Sequence, residues 1–229
     1  MTGLILHHAP DNASLCIRLA LDAVGEPFEA QLVDRQATAQ KSAHYLAMNP
    51  NGLIPVLETP DGVLFETAAI LLWLSERHPS LLPFDVSTRA SALKWLFWMS
   101  NTLHSTLRVL FYPEQYIAPD HVDILSATTR QRLITQLQIL DGATKDAPWI
   151  GGETPTILDC YLCPMLRWMQ LYPLNAPDRP TLSDFPNLHR IALKNETHRS
   201  TKSAQAAEGL GDTPFSAPSY PNPPEGSAL

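Results

Sequence analysis

Leu53 to Leu57 reads Leu-Ile-Pro-Val-Leu, an apolar strand-like run with proline at its centre. Proline cannot donate to a sheet ladder, so Ile54 and Pro55 mark a point where backbone hydrogen bonding is withheld from the sheet and left for something else. Just before the first apolar-periodic helix stand Asn12 and Ser14, short side chains able to donate a hydrogen bond and equally suited to capping. Glu66-Thr67 directly opens another helix further along, with Thr67 as its cap and a helix N-terminus that favours negative charge. Thr156 and Asp159 have the spacing of a capping box, which is a folding element. His7 and His8 are adjacent on a strand, so their rings point to opposite faces and cannot chelate one metal; no metal site is assigned. Cys160 and Cys163 form a C-x-x-C pair, but within an apolar helix, which implies buried packing; Cys16, between Leu15 and Ile17, reads the same way.

The elements that must position these groups alternate over the first 80 residues. "GLILHHA", "ASLCIRLALDAVG" and "FEAQLVD" give strand, helix and strand, a βαβ unit whose helix stops at Gly25. "TAQKSAHYLAMNP" gives a second helix. "LIPVLET" and "VLFE" flank Asp61-Gly62 and form a hairpin. "TAAILLWLSERH" follows as a helix that is mostly buried. After the proline-punctuated "PSLLPFDV" strand signals stop, and helices are expected over Ser87–Phe111, Ala118–Ala143, Thr156–Leu171 and Asp184–Lys194. The expected division is 1–80, a linker at 81–88, an all-helical unit at 89–211, and a proline-rich tail at 212–229 that is disordered or draped on the surface.

Composition narrows the function. Sixteen basic against 23 acidic residues give a net charge of -7 without a Lys/Arg cluster, which argues against nucleic acid and anionic membranes as partners. The longest apolar run, Ala68 to Leu74, falls far short of the roughly 20 residues a membrane span needs. Three cysteines and an N-terminus without a signal-peptide pattern point to the cytoplasm.

"NPNGLIPVLETPDGVLFETAAILLWLSERHP" resembles the N-terminal signature of the cytosolic glutathione transferase superfamily, N-P-x-G-x-[VI]-P-x-L, an Asp-Gly turn, then x-x-E-S-x-A-I. "WIGGETPTILDCYL" resembles the family's second motif, W-x-x-G-x-x-P-[ST]-x-x-D, and the likeness runs from Leu4 to about Gly211. The pattern is most similar to the bacterial beta class and its neighbours. The resemblance implies an α/β thioredoxin-like domain of order β-α-β-α-β-β-α followed by an all-α helical domain. It also implies glutathione as cosubstrate, a small hydrophobic electrophile as second substrate, and a homodimer.

By that resemblance the Ile54-Pro55 bond is cis and the Ile54 backbone pairs with the cysteinyl residue of glutathione. Glu66 takes the α-ammonium and Thr67 the γ-glutamyl carboxylate, while Leu53 stands where the family carries a group reaching the glycyl end, a task left to His44 or another residue. The class's catalytic cysteine is replaced by Ala13, and a related class's serine by Asp11, whose charge would oppose a thiolate unless turned away. The candidate catalytic groups are therefore Ser14, Asn12 and His104, with Trp98, Leu103 and Leu107 lining the electrophile's side. The activity so implied is glutathione transfer. Its alternatives are glutathione-dependent disulfide or peroxide reduction, and a non-catalytic binding module.

Overall fold

The computed structural model describes residues 3–82, 85–176 and 178–228. Residues 83 and 84, within the linker expected at 81–88, lie outside them.

Strand β1 (Leu4–His8) leads through helix α1 (Ser14–Val24) to β2 (Phe28–Leu32), and after α2 (Ala43–Met48) come β3 (Val56–Thr59) and β4 (Gly62–Phe65), then α3 (Thr67–Arg77). The sheet order is β2-β1-β3-β4: β1 and β2 run parallel in register Leu6↔Ala30, whereas β1–β3 and β3–β4 are antiparallel. A βαβ crossover supplies the parallel pair, and the Asp61-Gly62 turn closes the antiparallel one through Thr59↔Gly62. Gly25 ends α1 in the left-handed conformation, φ +69°, which only a residue without Cβ adopts at little cost. The apolar stripe of α1 and the inner face of α3 close over the sheet, with Leu6, Leu15, Ile17, Ile70, Leu71 and Leu74 fully buried.

The second unit is helical: α4 (Val86–Trp98), α5 (Ser105–Phe111), α6 (Val122–Ala143), α7 (Ile157–Leu171), α8 (Pro186–Glu196) and α9 (Arg199–Glu208). Helix α7 is buried over almost its whole length and packs on α1, so one core runs through both units. Its start is held by the Thr156/Asp159 capping box, the Asp159 carboxylate also accepting from the Ile150 N–H at 3.1 Å.

Three features depart from the sequence reading. The helix expected over Ser87–Phe111 is interrupted, because Met99–His104 winds as a π-helix between α4 and α5. Helix α9 was not anticipated. The proline-rich tail, expected to be disordered or draped on the surface, is anchored in the helical unit near its start: Phe215 is fully buried, and the N–H groups of Phe215 and Ser216 donate to Glu196 at 2.9 and 2.7 Å. No helix among the described residues is long and apolar enough to cross a membrane.

Candidate functional site

The two units enclose a cleft of about 770 Å³. Its floor on the first unit comes from the α1 N-terminus (Asn12, Ala13), the β3 entry (Leu53, Ile54, Pro55) and the α3 N-terminus (Glu66, Thr67). Two helix starts thus border one cavity and bring the partial positive charge of their N-terminal ends to it, an arrangement that suits an anionic ligand. Pro55 follows a cis peptide bond, and the chain before it is pinned by its own side chains: the Leu53 carbonyl accepts from Tyr45 OH at 2.9 Å and Asn49 Nδ2 at 2.8 Å. Glu66 takes φ +74°, ψ 114°, a conformation costly for a residue with a Cβ, and such outliers cluster at ligand clamps.

The opposite wall comes from the second unit. The π-helical turn adds a residue to the helical repeat and carries Ser100 and His104 to the cleft, alongside Arg108, Phe111 and Tyr112. His104 Nδ1 lies 2.9 Å from Tyr161 OH, and the imidazole is tilted against Trp168 at 5.7 Å between centroids. Burial, followed by the Arg108 charge, lowers its pKa to about 4, so it is a neutral imidazole near pH 7. Burial likewise pushes the Tyr161 hydroxyl well above its ordinary range, keeping it a phenol.

Asp11 settles the question its charge raised. Its carboxylate is turned onto α7, where Oδ1 accepts from Arg167 Nε at 2.8 Å and Trp168 Nε1 at 2.9 Å, and Oδ2 from Tyr172 OH at 2.7 Å. A charge so paired and hydrogen-bonded is neutralised locally and presents little repulsion to an anion in the cleft. The Asp11 N–H in turn donates to Glu208 Oε2 at 2.8 Å, and Glu208 Oε1 accepts from Arg18 Nε at 2.8 Å. Four charged residues from the α1 loop, α1, α7 and α9 therefore form one buried chain beside the cleft.

Several expected placements are corrected. Ser14 does not reach the cleft: it is fully buried and its hydroxyl donates to the Ala9 carbonyl at 3.1 Å, as a serine at a helix start does when a backbone acceptor is in reach. Leu103 and Leu107 are buried in the core and Trp98 packs against it, so none of the three lines the cleft. His44 is exposed and is not part of the wall. The cations that do line it are Arg35, Lys41 and Arg108, which sequence reasoning missed; Arg35 lies in a turn after β2, where no periodicity assigns it a direction, and Lys41 ends a short 3-10 helix (Ala39–Lys41) before α2.

Asn12, Ile54, Pro55, Leu53, Glu66, Thr67 and His104 all border the same cavity. Asn12 Oδ1 accepts from the Ala13 N–H at 2.8 Å, which directs its amide NH₂ away from that contact. No cysteine lines the cleft. Cys16, Cys160 and Cys163 are buried free thiols, each held well above the usual thiol pKa mainly by desolvation, so none is a ready thiolate.

A thioredoxin-like unit whose strand-entry proline and helix starts face a helical unit across a cleft is the architecture of glutathione transferases. Comparison with known proteins gives the same answer. The family model for the glutathione S-transferase N-terminal domain matches residues 1–76 and that for the C-terminal domain matches 114–191. Glutathione S-transferase GstA of Escherichia coli O157:H7 is 31% identical over 210 residues, 90% of this chain and 98% of that protein. Disulfide-bond oxidoreductase YfcG of E. coli K12 is 28% identical over 91% of this chain and 99% of that protein. Among solved structures, a glutathione transferase homologue from Sulfitobacter with bound glutathione superposes with a TM-score of 0.80 at 20% identity, covering 90% of this chain and 98% of that one. The chain belongs to the glutathione S-transferase family.

Proposed function

We propose that the protein binds glutathione in this cleft and uses its sulfur on a hydrophobic electrophile. The tripeptide lies along Ile54, with its γ-glutamyl carboxylate at Thr67 and the α3 N-terminus, and its α-ammonium at Glu66. Arg35 and Lys41 supply the positive charge for the glycyl carboxylate in place of the group lacking at Leu53. The sulfur then sits beside Ala13 at the α1 N-terminus, where the helix field and the Asn12 amide favour the thiolate. His104, Tyr161, Trp168 and Phe111 form the face against which the electrophile rests, His104 acting as a neutral hydrogen-bonding group. The single observation that carries this reading is the convergence of the α1 and α3 N-termini on a cavity bordered by Ile54, Glu66 and Thr67.

A second reading is favoured by one observation: the cleft has no cysteine and retains Asn12 as a donor. The glutathione thiolate itself then attacks a disulfide, forming a mixed disulfide and expelling the partner thiolate; a second glutathione completes the exchange. The family relatives named disulfide-bond oxidoreductases are consistent with that chemistry. A homodimer, a cytoplasmic location and a detoxifying role accord with either.

Retention on immobilised glutathione, with a thermal-shift titration, tests both. No retention and no shift at millimolar glutathione would refute them together and leave a non-catalytic binding module. If glutathione binds, turnover on an aryl halide, a disulfide and a peroxide separates transfer from reduction. Light scattering decides the dimer.

A further inference from the structure

Helix α5 brings to the cleft His104 at its start, then Arg108 and Phe111, spaced i, i+4 and i+7 along one face. The middle of the three is a half-buried cation beside an aromatic wall to which Phe111, Trp168 and Tyr172 belong. Its guanidinium is held in a fixed attitude, over the Tyr112 ring at 5.6 Å from the centroid, with Nη2 donating to Gln115 Oε1 at 3.2 Å. Both partners are neutral, and Arg108 forms no ion pair among the described residues. The described acids that border the cleft are Asp11, which is bound to Arg167, and Glu66, which stands on the first unit at the start of α3. The glutathione reading engages the other charges of the cleft: Glu66 takes the ammonium, and Arg35 and Lys41 take the glycyl carboxylate. Arg108 is left over, on the wall against which the second substrate rests.

We propose that Arg108 selects a second substrate that carries a carboxylate, about 6 Å, or one helical turn, from the group that rests at His104. This deepens the glutathione reading and rests on it, and it holds whether the second substrate is an electrophile or a disulfide. A wholly apolar molecule against this wall strips water from the guanidinium and gives it no partner, which is costly for a charge. A carboxylate pairs with the same fork bidentately, about twice as strongly as a neutral acceptor does. Tyr112 and Gln115 already orient the fork, so less side-chain freedom is lost when the anion arrives. Discrimination therefore comes from both sides, the bond made by the acid and the desolvated charge left by its neutral analogue. The apolar body of the substrate still meets Phe111 and Trp168, so the requirement is for an amphipathic molecule, apolar with one anionic end.

The test uses the full chain and two pairs of ligands, S-(4-carboxybenzyl)glutathione and S-(5-carboxypentyl)glutathione, each beside its primary amide. All are anchored by their glutathione portion and present either a carboxylate or a neutral group of the same shape to the α5 wall, so no turnover is needed. Calorimetric titration is expected to give at least one acid a Kd about tenfold below that of its amide. In Arg108→Ala that ratio should fall to about one, and Arg108→Lys should keep part of it. Arg35→Ala should weaken acid and amide alike and leave their ratio in place. Because the ratio is taken within each variant, a loss of folded protein cancels. Ratios near one for both pairs in the parent chain, a ratio that survives Arg108→Ala, or one that disappears in Arg35→Ala would overturn the assignment. Failure of the parent chain to bind glutathione or any of the four conjugates would instead remove the reading on which it rests, a different outcome from equal, measurable affinities.

Discussion

Replacing Asp11 with alanine should be among the most damaging substitutions in the protein, although Asp11 sits in a loop at the edge of the cleft. Three donors converge on its carboxylate, and one of them, Arg167, is completely buried. Removing the carboxylate strands an unpaired guanidinium in the interior, a loss of about 3–5 kcal/mol, and the left-handed backbone at Asp11, φ +49°, adds about 1 kcal/mol for alanine. For a chain of this length roughly 2–4 °C of melting temperature goes with each kcal/mol, so a fall of about 10 °C or more is expected. Asp11→Asn keeps the shape and an acceptor and should lose about half as much. The decisive variant is Asp11→Ala combined with Arg167→Met: if the stranded charge is the cause, the double variant recovers part of the loss, with a coupling of at least about 2 kcal/mol in urea unfolding. A loss below about 1 kcal/mol for Asp11→Ala, or strictly additive single effects, would refute the reasoning.

Three further outcomes follow from the site and the core. Thr67→Ala and Glu66→Gln should each weaken glutathione binding about tenfold by calorimetry, the equivalent of one charge-assisted hydrogen bond, and an unchanged Kd in both would remove the α3 N-terminus from the site. The three cysteines should resist a thiol reagent in the native protein and react only on unfolding, so one rapidly modified thiol would contradict their burial. His8 is buried with neither ring nitrogen hydrogen-bonded among the described residues, and desolvation, then Arg18, lowers its pKa from 6.5 to about 4. The unfolded chain therefore binds the proton first as pH falls. Its contribution to stability is intact above pH 6.5 and is lost between 6.5 and about 4, with a slope of up to about 1.4 kcal/mol per pH unit. Over that window His8→Phe should flatten the dependence relative to the parent protein, and parallel curves would show that His8 does not titrate there.

How far the sequence reveals these features depends on the range of the interaction that fixes each one. The hairpin at Asp61-Gly62, the apolar run from Ala68 to Leu74 and the Thr156/Asp159 box are local, and each is legible because its partners lie within a few residues. The π-turn at Met99–His104 is local as well, yet six residues are too few for a changed period to show in the apolar pattern. Helix α9 was missed because "RSTKSAQAAE" has almost no apolar stripe; it is placed by Thr201, Ala204 and the buried Glu208. The tail was misread because low apolar content argues for disorder only when the backbone has no partner. Here one arginine, 47 to 52 residues upstream, takes two of its carbonyls. Asp11 is the sharpest case. Alone it is an acid at the place where the family resemblance implies a thiolate, and its pairing partners lie 156 to 161 residues away. The same arginine that pairs with Asp11 grips the tail, so the carboxylate at the edge of the cleft and the course of the tail depend on one buried side chain. A substitution at Arg167 should therefore disturb the Asp11 edge of the cleft and the tail together, which no pattern within either segment announces.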